Sequence, residues 1–428
     1  MKKHIHQVEQ NEKKESTPVK SYYLLISLIP IYLFFSMINR YAVNIPMLDD
    51  WDAILGFIID WTKSPNDEKF RLLMSQHNEH RIVVSRVIYV LYYSISNKIN
   101  FINLGIISNL QLLVIFGILV YFSAKFIKNT WPIISIFIAF CIFDASNYEN
   151  SMMSMAGMAN YGVIMLFLIS LLCYSSQKYS LLIVAIVFQI LCIYSNGNGI
   201  IGGFVLVLFC VATRNRLKLF SSIITFAASS ILYFQQYHKT ENNLTGKSLV
   251  AITEFFLRLI GGHLGPDHRI FIGIIFLIAI MLIIYFLSPK ILKGDKESFP
   301  FLATILFIIL SMGSVAVFRS AEESKIETLS YSSRYLIYPH LYAAILIILI
   351  AYFVERTKIK WIAISIIGFI YIKGYTENYK FGDQMFQIYR NRAIFNEYHY
   401  PIKQKAANIG FKACEKKIYC LEENRPIE

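Results

Sequence analysis

Charge is what this chain has least of. Asp, Glu, Lys and Arg make up 16% of its 428 residues and hydrophobic types 56%, whereas a soluble domain carries roughly 25% charged residues. So little charge cannot cover a globule in water, which excludes an ordinary soluble enzyme. Cysteine is sparse too, at six residues, and none is spaced with His or Cys as a zinc site requires. The 20 glycines form neither a phosphate-binding loop nor a dinucleotide fingerprint, which removes P-loop NTPases and Rossmann-type oxidoreductases. No internal repeat is visible, so solenoids and propellers are set aside as well.

What is present is a succession of long apolar runs. A helical span needs about 20 apolar residues to cross roughly 30 Å of hydrocarbon, and such runs are expected at 21 to 39, 101 to 123, 131 to 147, 160 to 176, 180 to 195, 199 to 213, 219 to 236, 270 to 288, 300 to 318, 335 to 354 and 361 to 375. The expected fold class is an all-α polytopic integral membrane protein with about eleven transmembrane helices. The runs lack the alternation of an outer-membrane barrel strand. The short pair 180 to 195 and 199 to 213, around Ser195-Asn196-Gly197-Asn198-Gly199, reads equally as one re-entrant hairpin. The first run follows a basic tail holding Lys2, Lys3, Lys13, Lys14 and Lys20, with no small-residue cleavage site after it, and reads as a retained anchor.

Lysine and arginine placement sets the orientation, because short basic loops stay on the cytoplasmic side. Lys125 and Lys128, Lys178, Arg214 with Arg216 and Lys218, Lys290 with Lys293 and Lys296, and Arg356 with Lys358 and Lys360 fall in alternate loops, while 148 to 159 and 196 to 198 hold none. Residues 1 to 20 are then a cytoplasmic tail and 21 to 375 the membrane body. The loops 40 to 100, 237 to 269 and 319 to 334 and the tail 376 to 428 lie outside. Ile82 to Ser96 carries Arg86 and is too short to span. It is expected as an interfacial helix with Tyr89, Tyr92 and Tyr93 at headgroup level. The net charge of +13 resides largely in these loops, so the basic excess points to membrane lipids and not to nucleic acid.

Polar chemistry gathers on the outer side. The first outer loop holds Asp49-Asp50-Trp51-Asp52 and then Gln76-His77-Asn78-Glu79-His80-Arg81; Tyr148-Glu149-Asn150, Asp267-His268-Arg269, Arg319, Glu322, Glu323 and Arg334 add to it. Asp144 and Lys373 sit near outer span ends, and His340 about two turns into its helix. The span middles are otherwise bare, whereas ion-coupled transport needs titratable groups near the midplane. That distribution favours a site facing a lipid headgroup and an external acceptor together.

In the PMLDDWD segment after the first span, the QHNEHRI string, the YEN cluster at Tyr148 to Asn150 and SSRY at Ser332 to Tyr335, the chain resembles the GT-C superfamily of membrane glycosyltransferases. Over the membrane body it also resembles serotype-converting O-antigen glucosyltransferases. The resemblance implies a first outer loop with interfacial helices and a catalytic carboxylate, Asp49 or Asp50, that takes the acceptor hydroxyl proton. It implies substrate contacts from Glu79, His80, Arg81, Glu149, Arg269 and Arg334, with the guanidinium forks of Arg81, Arg86, Arg269 and Arg334 as candidates for the phosphate oxygens. The donor would be a polyprenyl-phosphate sugar and the acceptor a cell-envelope glycan such as O-antigen, with inversion at the sugar. The setting would be the outer face of a bacterial inner membrane, N-terminus cytoplasmic and C-terminus periplasmic. No organic cofactor is called for; metal ligands are unassigned, a divalent cation being compatible with the carboxylates. An O-antigen polymerase and a lipid-linked sugar flippase are the alternatives.

Each residue also has a purely structural reading. Asp49 and Asp50 suit the N-terminus of a helix beginning near Trp51, and Glu79-His80-Arg81 suits an ion-paired turn. Arg86 suits snorkelling from an interfacial helix, Glu149 and Asn150 a turn, and Arg334 a helix start. Cys414 and Cys420 share the outer tail and are either a disulfide or two free thiols; the other four cysteines fall in spans as packing residues.

Overall fold

In the computed structural model of the chain, residues 20–238, 248–264, 268–292, 296–320, 332–355, 357, 359–395 and 403–421 are described. The basic tail up to residue 19, Asp267, Glu322, Glu323, Lys293, Arg356 and Lys358 lie outside them. Every extended element among the described residues is helical; the sole β-type pairing is an isolated bridge between His77 and His80. Eight helical stretches are long and apolar enough to cross a membrane: Ser21–Tyr41, Phe101–Phe126, Trp131–Met152, Ser154–Ser175, Arg216–Phe234, Arg269–Pro289, Phe299–Arg319 and Ser333–Val354. The three further runs drawn from the sequence are the helices Ser180–Ile193 and Asn198–Thr213, which are shorter, and the first half of a 35-residue helix, Lys360–Ile394. At about 1.5 Å per residue the short pair rise roughly 21 and 24 Å, less than the hydrocarbon thickness, while the long helix exceeds it.

In chain order, α1 (Leu28–Tyr41) leads into the first loop, which is itself helical. After a wide turn at Trp51–Gly56 come α2 (Phe57–Lys63), α3 (Asn66–Met74) and α4 (Val83–Ser96). The body follows as α5 (Phe101–Phe126), α6 (Trp131–Ile142), α7 (Tyr148–Met152), α8 (Ser154–Ser175), α9 (Ser180–Ile193), α10 (Asn198–Thr213), α11 (Arg216–Phe234), α12 (Leu249–Ile260), α13 (Arg269–Leu292), α14 (Phe299–Arg319), α15 (Ile337–Val354) and α16 (Lys360–Ile394). Helix starts and stops follow local chemistry. The Asn100 side chain accepts from the Asn103 N–H at 3.1 Å to open α5, and Asn215 does the same for Lys218 at α11. Prolines sit in the first turns of α6 and α14, where no N–H is needed. Asn97 and Arg214 close α4 and α10 in the left-handed region.

The core runs between α5, α6, α8, α14 and α15, where rings stack directly: Phe167 on Phe307 at 4.3 Å and Phe126 on Tyr352 at 3.9 Å. Around it Phe271, Met281, Tyr285, Phe369 and Ile366 are exposed, as lipid-facing side chains are. Lysine-bearing turns meet at one end of the bundle. The Glu355 carboxylate accepts the backbone N–H groups of Lys128, Asn129 and Thr130, and Lys218 Nζ donates to the carbonyls of Tyr174 and Ser176. The polar turns meet at the other end.

Two expectations for α4 are corrected. Tyr89 is fully buried, so it packs inside the protein and does not sit at a headgroup level. Arg86 does not snorkel: it is buried and donates to the carbonyls of Leu72, Leu73 and Ser75 on the preceding segment.

The C-terminal segment docks on the first loop. In α17 (Lys403–Glu415), Gly410 approaches Trp51, Ile409 approaches Gly56, and Lys405 pairs with Asp52 at 3.1 Å. A disulfide joins Cys414 to Cys420. The hairpin it closes gives the Ile418 carbonyl to Ile99 N–H and the Tyr419 hydroxyl to the Asn44 carbonyl, clasping both ends of the loop.

Candidate functional site

The string Gln76 to Arg81 folds as a tight turn. His77 and His80 exchange backbone hydrogen bonds of 2.7 and 2.9 Å, and Asn78 takes the left-handed φ of 48° that asparagine tolerates. The turn presents His77, Glu79 and His80 to a polar cavity of about 340 Å³, also lined by Asp49, Asn160, Asn196, Arg319, Arg334 and Tyr335. A second lobe of about 330 Å³ shares Glu79, His80, Asn160, Asn196, Arg319 and Tyr335 with the first and adds Asn198, Tyr233 and Tyr237. Beyond it a groove of about 820 Å³, sharing Ile200, Ile201, Ser314 and Phe318 with this lobe, runs between α10, α11, α12 and α14. Its walls are apolar apart from Thr253 and Ser314, and Phe204, Val317 and Phe318 leave it open on the flank of the bundle.

Adjacent carboxylates part company here. Asp49 lines the cavity, and no hydrogen bond or ion pair holds its carboxylate among the described residues. Asp50 is enclosed: its carboxylate accepts the N–H groups of Met155 at 2.8 Å and Met47 at 3.2 Å, pinning the loop to the start of α8. Burial pushes the Asp50 carboxyl up to about 7 against those hydrogen bonds.

The arginines divide the same way. Arg81 does not reach the cavity. Its Nε donates to the Tyr233 carbonyl, one terminal nitrogen to Met74 and the other to Gln235 at 2.5 Å, so its fork staples the first loop to the end of α11. Arg269 is buried at the start of α13 and is not among the cavity's lining residues. Arg334 and Arg319 do line it. Arg334 pairs with Glu149 at 3.5 Å, and Glu149 also accepts from the Arg334 N–H, Ser332 Oγ and Tyr389 hydroxyl at 2.8 to 3.0 Å. Glu149 thus orients Arg334 without lining the cavity itself. Arg319 lies 3.9 Å from Glu79. Burial lowers the pKa of both His77 and His80, leaving neutral rings at pH 7. His77 Nε2 and His80 Nδ1 are buried and have no hydrogen-bond partner among the described residues. The His80 ring lies against Gly197, where a Cβ would come within 2.5 Å of Nδ1, so only glycine admits it.

Behind the Glu149 pair lies a sealed polar network that spacing gave no reason to assemble. Ser146 donates its hydroxyl to Asp144 at 2.6 Å, so His340 Nε2 must be the donor to Ser146 Oγ at 2.9 Å. Its Nδ1 then accepts from His263 Nδ1 at 2.6 Å. Asn378, on α16, donates to both Asp144 and the His263 carbonyl at 2.9 Å. The relay from His263 through His340 and Ser146 runs toward Asp144, and with Asn378 it ties the turn after α6, the segment before α13, α15 and α16 together. Ser333 Oγ continues the chain, donating to the Ser146 carbonyl and accepting from Glu149 N–H.

Among the described residues no group of three or more His, Cys, Asp or Glu side chains is placed to hold a metal ion. Compared with known proteins, the chain matches no family description, no curated protein and no solved structure.

Proposed function

We propose that this protein is a membrane glycosyltransferase of the GT-C kind, moving a sugar from a polyprenyl-phosphate donor to a cell-envelope glycan at the outer face of a bacterial inner membrane. One observation carries the reading: an apolar groove, open on the bundle's flank, runs into a polar cavity that holds two arginines and a carboxylate with no ion pair among the described residues. An isoprenoid tail suits the groove, and a phosphate suits the guanidinium groups of Arg319 and Arg334 at its polar end. The positive-inside tendency of the lysine-bearing turns supports placing the cavity on the outer side.

The chemistry is a displacement at the anomeric carbon. Asp49 accepts the proton of the acceptor hydroxyl as its oxygen bonds to that carbon, and the bond from carbon to phosphate oxygen breaks with its electron pair. Polyprenyl phosphate leaves with its added negative charge facing Arg319 and Arg334. Single displacement inverts the sugar. Asp50 and Arg81, first grouped with the reacting residues, serve here as clamps of the loop that carries Asp49.

The test is mass spectrometry of envelope glycan from cells with and without the protein. Gain or loss of one sugar per glycan unit supports transfer. A change in chain length alone would reassign the protein to polymerisation, and identical glycans would overturn the reading.

A further inference from the structure

The two lobes of the cavity meet at a ladder of amides. Asn150 donates to the Arg334 carbonyl at 3.0 Å, Asn160 donates to Asn150 Oδ1 at 2.8 Å, and Asn196 donates to Asn160 Oδ1 at 2.9 Å. Gly197 N–H closes it on Asn196 Oδ1 at 2.6 Å. The ladder fixes which end of each amide is nitrogen. Each nitrogen carries two N–H groups, so Asn160 and Asn196 each keep one beyond the ladder. Asn198, whose amide donates to the Tyr338 hydroxyl at 2.6 Å, lines the second lobe, and Tyr335 borders both.

Such a wall offers directional hydrogen bonds and no added charge. Among the described residues the cations lining the lobes are Arg319 and Arg334, and each already faces one carboxylate, Glu79 or Glu149. A second anionic group on a ligand would meet the carboxylates of Asp49 and Glu79 in a partly dehydrated space.

We propose that the Asn160–Asn196 amide ladder, with His80 held against Gly197, is a recognition subsite for an uncharged, hydroxyl-rich hexosyl group, and that it discriminates against sugars bearing a carboxylate. This rests on the donor reading above and adds the class of sugar. Pre-oriented amides read a hydroxyl without the cost of ordering them at binding, and they bind it only where the sugar's own donors and acceptors complete the pairing.

The test is equilibrium binding by the full-length protein in lipid nanodiscs to three probes: polyprenyl phosphate, polyprenyl-phosphate glucose and polyprenyl-phosphate glucuronate. The wild type is expected to hold the glucose probe about 10-fold more tightly than bare polyprenyl phosphate, as one or two net hydrogen bonds allow. The glucuronate probe should bind no better than the bare lipid. Asn196→Ala and Asn160→Ala should each lose the glucose increment and keep the bare-lipid affinity, which doubles as the check on folding. The wild-type comparison stands even where a variant fails to fold. Equal affinity for glucose and glucuronate probes, or an increment that survives both substitutions, overturns the subsite. Absence of any binding by bare polyprenyl phosphate overturns the donor reading instead.

Discussion

The cavity wall and the packed shell behind it contain the same residue types in different states. On the wall, the Asp49 carboxylate has no hydrogen-bond partner among the described residues, and Arg319 and Arg334 each face one carboxylate at 3.5 Å or more. In the shell, Asp50 takes two backbone N–H groups, Arg81 spends its fork on three carbonyls, and Asp144 is the terminus of a closed network. A charge whose hydrogen-bonding capacity is exhausted by its own protein is scaffold; one with capacity left over is available to a ligand.

The sharpest way to break this contrast is to treat the neighbouring aspartates alike. Asp49→Asn should cut sugar transfer by about 10² to 10⁴-fold, the usual worth of general-base assistance, with little change in thermal stability. Asp50→Asn should leave transfer by the folded protein within a few-fold and alter stability instead. Because burial raises the Asp50 pKa from 3.8 to about 7, folding favours its protonated form. Its stabilising contribution is full below about pH 4 and lost as pH rises through about 7. The melting temperature of the wild type should therefore fall as pH rises across that window, and Asp50→Asn should flatten the dependence. Equal transfer by wild type and Asp49→Asn would remove Asp49 from the chemistry.

A second contrast sets wall arginines against a shell arginine. Arg334→Ala or Arg319→Ala should weaken affinity for polyprenyl phosphate about 10-fold or more, since a hydrogen bond to a charged group contributes about 1.5–3 kcal/mol. Arg81→Ala should leave that affinity intact in the folded fraction. It should lower stability by about 3 kcal/mol, as the carbonyls of Tyr233, Met74 and Gln235 lose their donor. Titration of lipid phosphate beside a denaturation curve separates the two.

The smallest expected effect concerns the C-terminal clasp. Closing a short loop between Cys414 and Cys420 contributes about 2 kcal/mol on the chain-entropy account. Cys414→Ser with Cys420→Ser should lower the melting temperature by a few degrees and loosen the first loop, seen as faster proteolysis between 40 and 100. Transfer should fall less than with Asp49→Asn. Alkylation before and after reduction reports whether the pair is oxidised in cells.

Much of the architecture was legible in the sequence because membrane spans and turns are local. Apolar runs marked the long helices: eight of the eleven drawn coincide with helices long and apolar enough to cross a membrane. Two are the shorter helices Ser180–Ile193 and Asn198–Thr213, and the run 361–375 is the first half of the helix Lys360–Ile394. The string Gln76 to Arg81 was legible as a dense polar cluster, and its histidines and Glu79 line the cavity. What failed was the sorting within clusters. Arg81 was grouped with its neighbours, yet its guanidinium belongs to a carbonyl 152 residues away. Arg319 was noticed only as part of the outer polarity, and His263 not at all, because its partner His340 lies 77 residues on.

The sequence by itself determined that this chain is helical and membrane-embedded, with its polar side chains collected at helix ends and in one long loop. Those properties follow from the apolar content of contiguous segments, which a bilayer enforces one segment at a time. Only the tertiary structure decided which of those polar groups stay available. Satisfaction of a donor or a carboxylate depends on what the fold brings within about 3 Å of it, and residues adjacent in the chain, such as Asp49 and Asp50, can face opposite surroundings. That is why Asp50 became a clamp, while Asp49, Arg319, Arg334 and the amides of Asn160 and Asn196 were left to line a cavity.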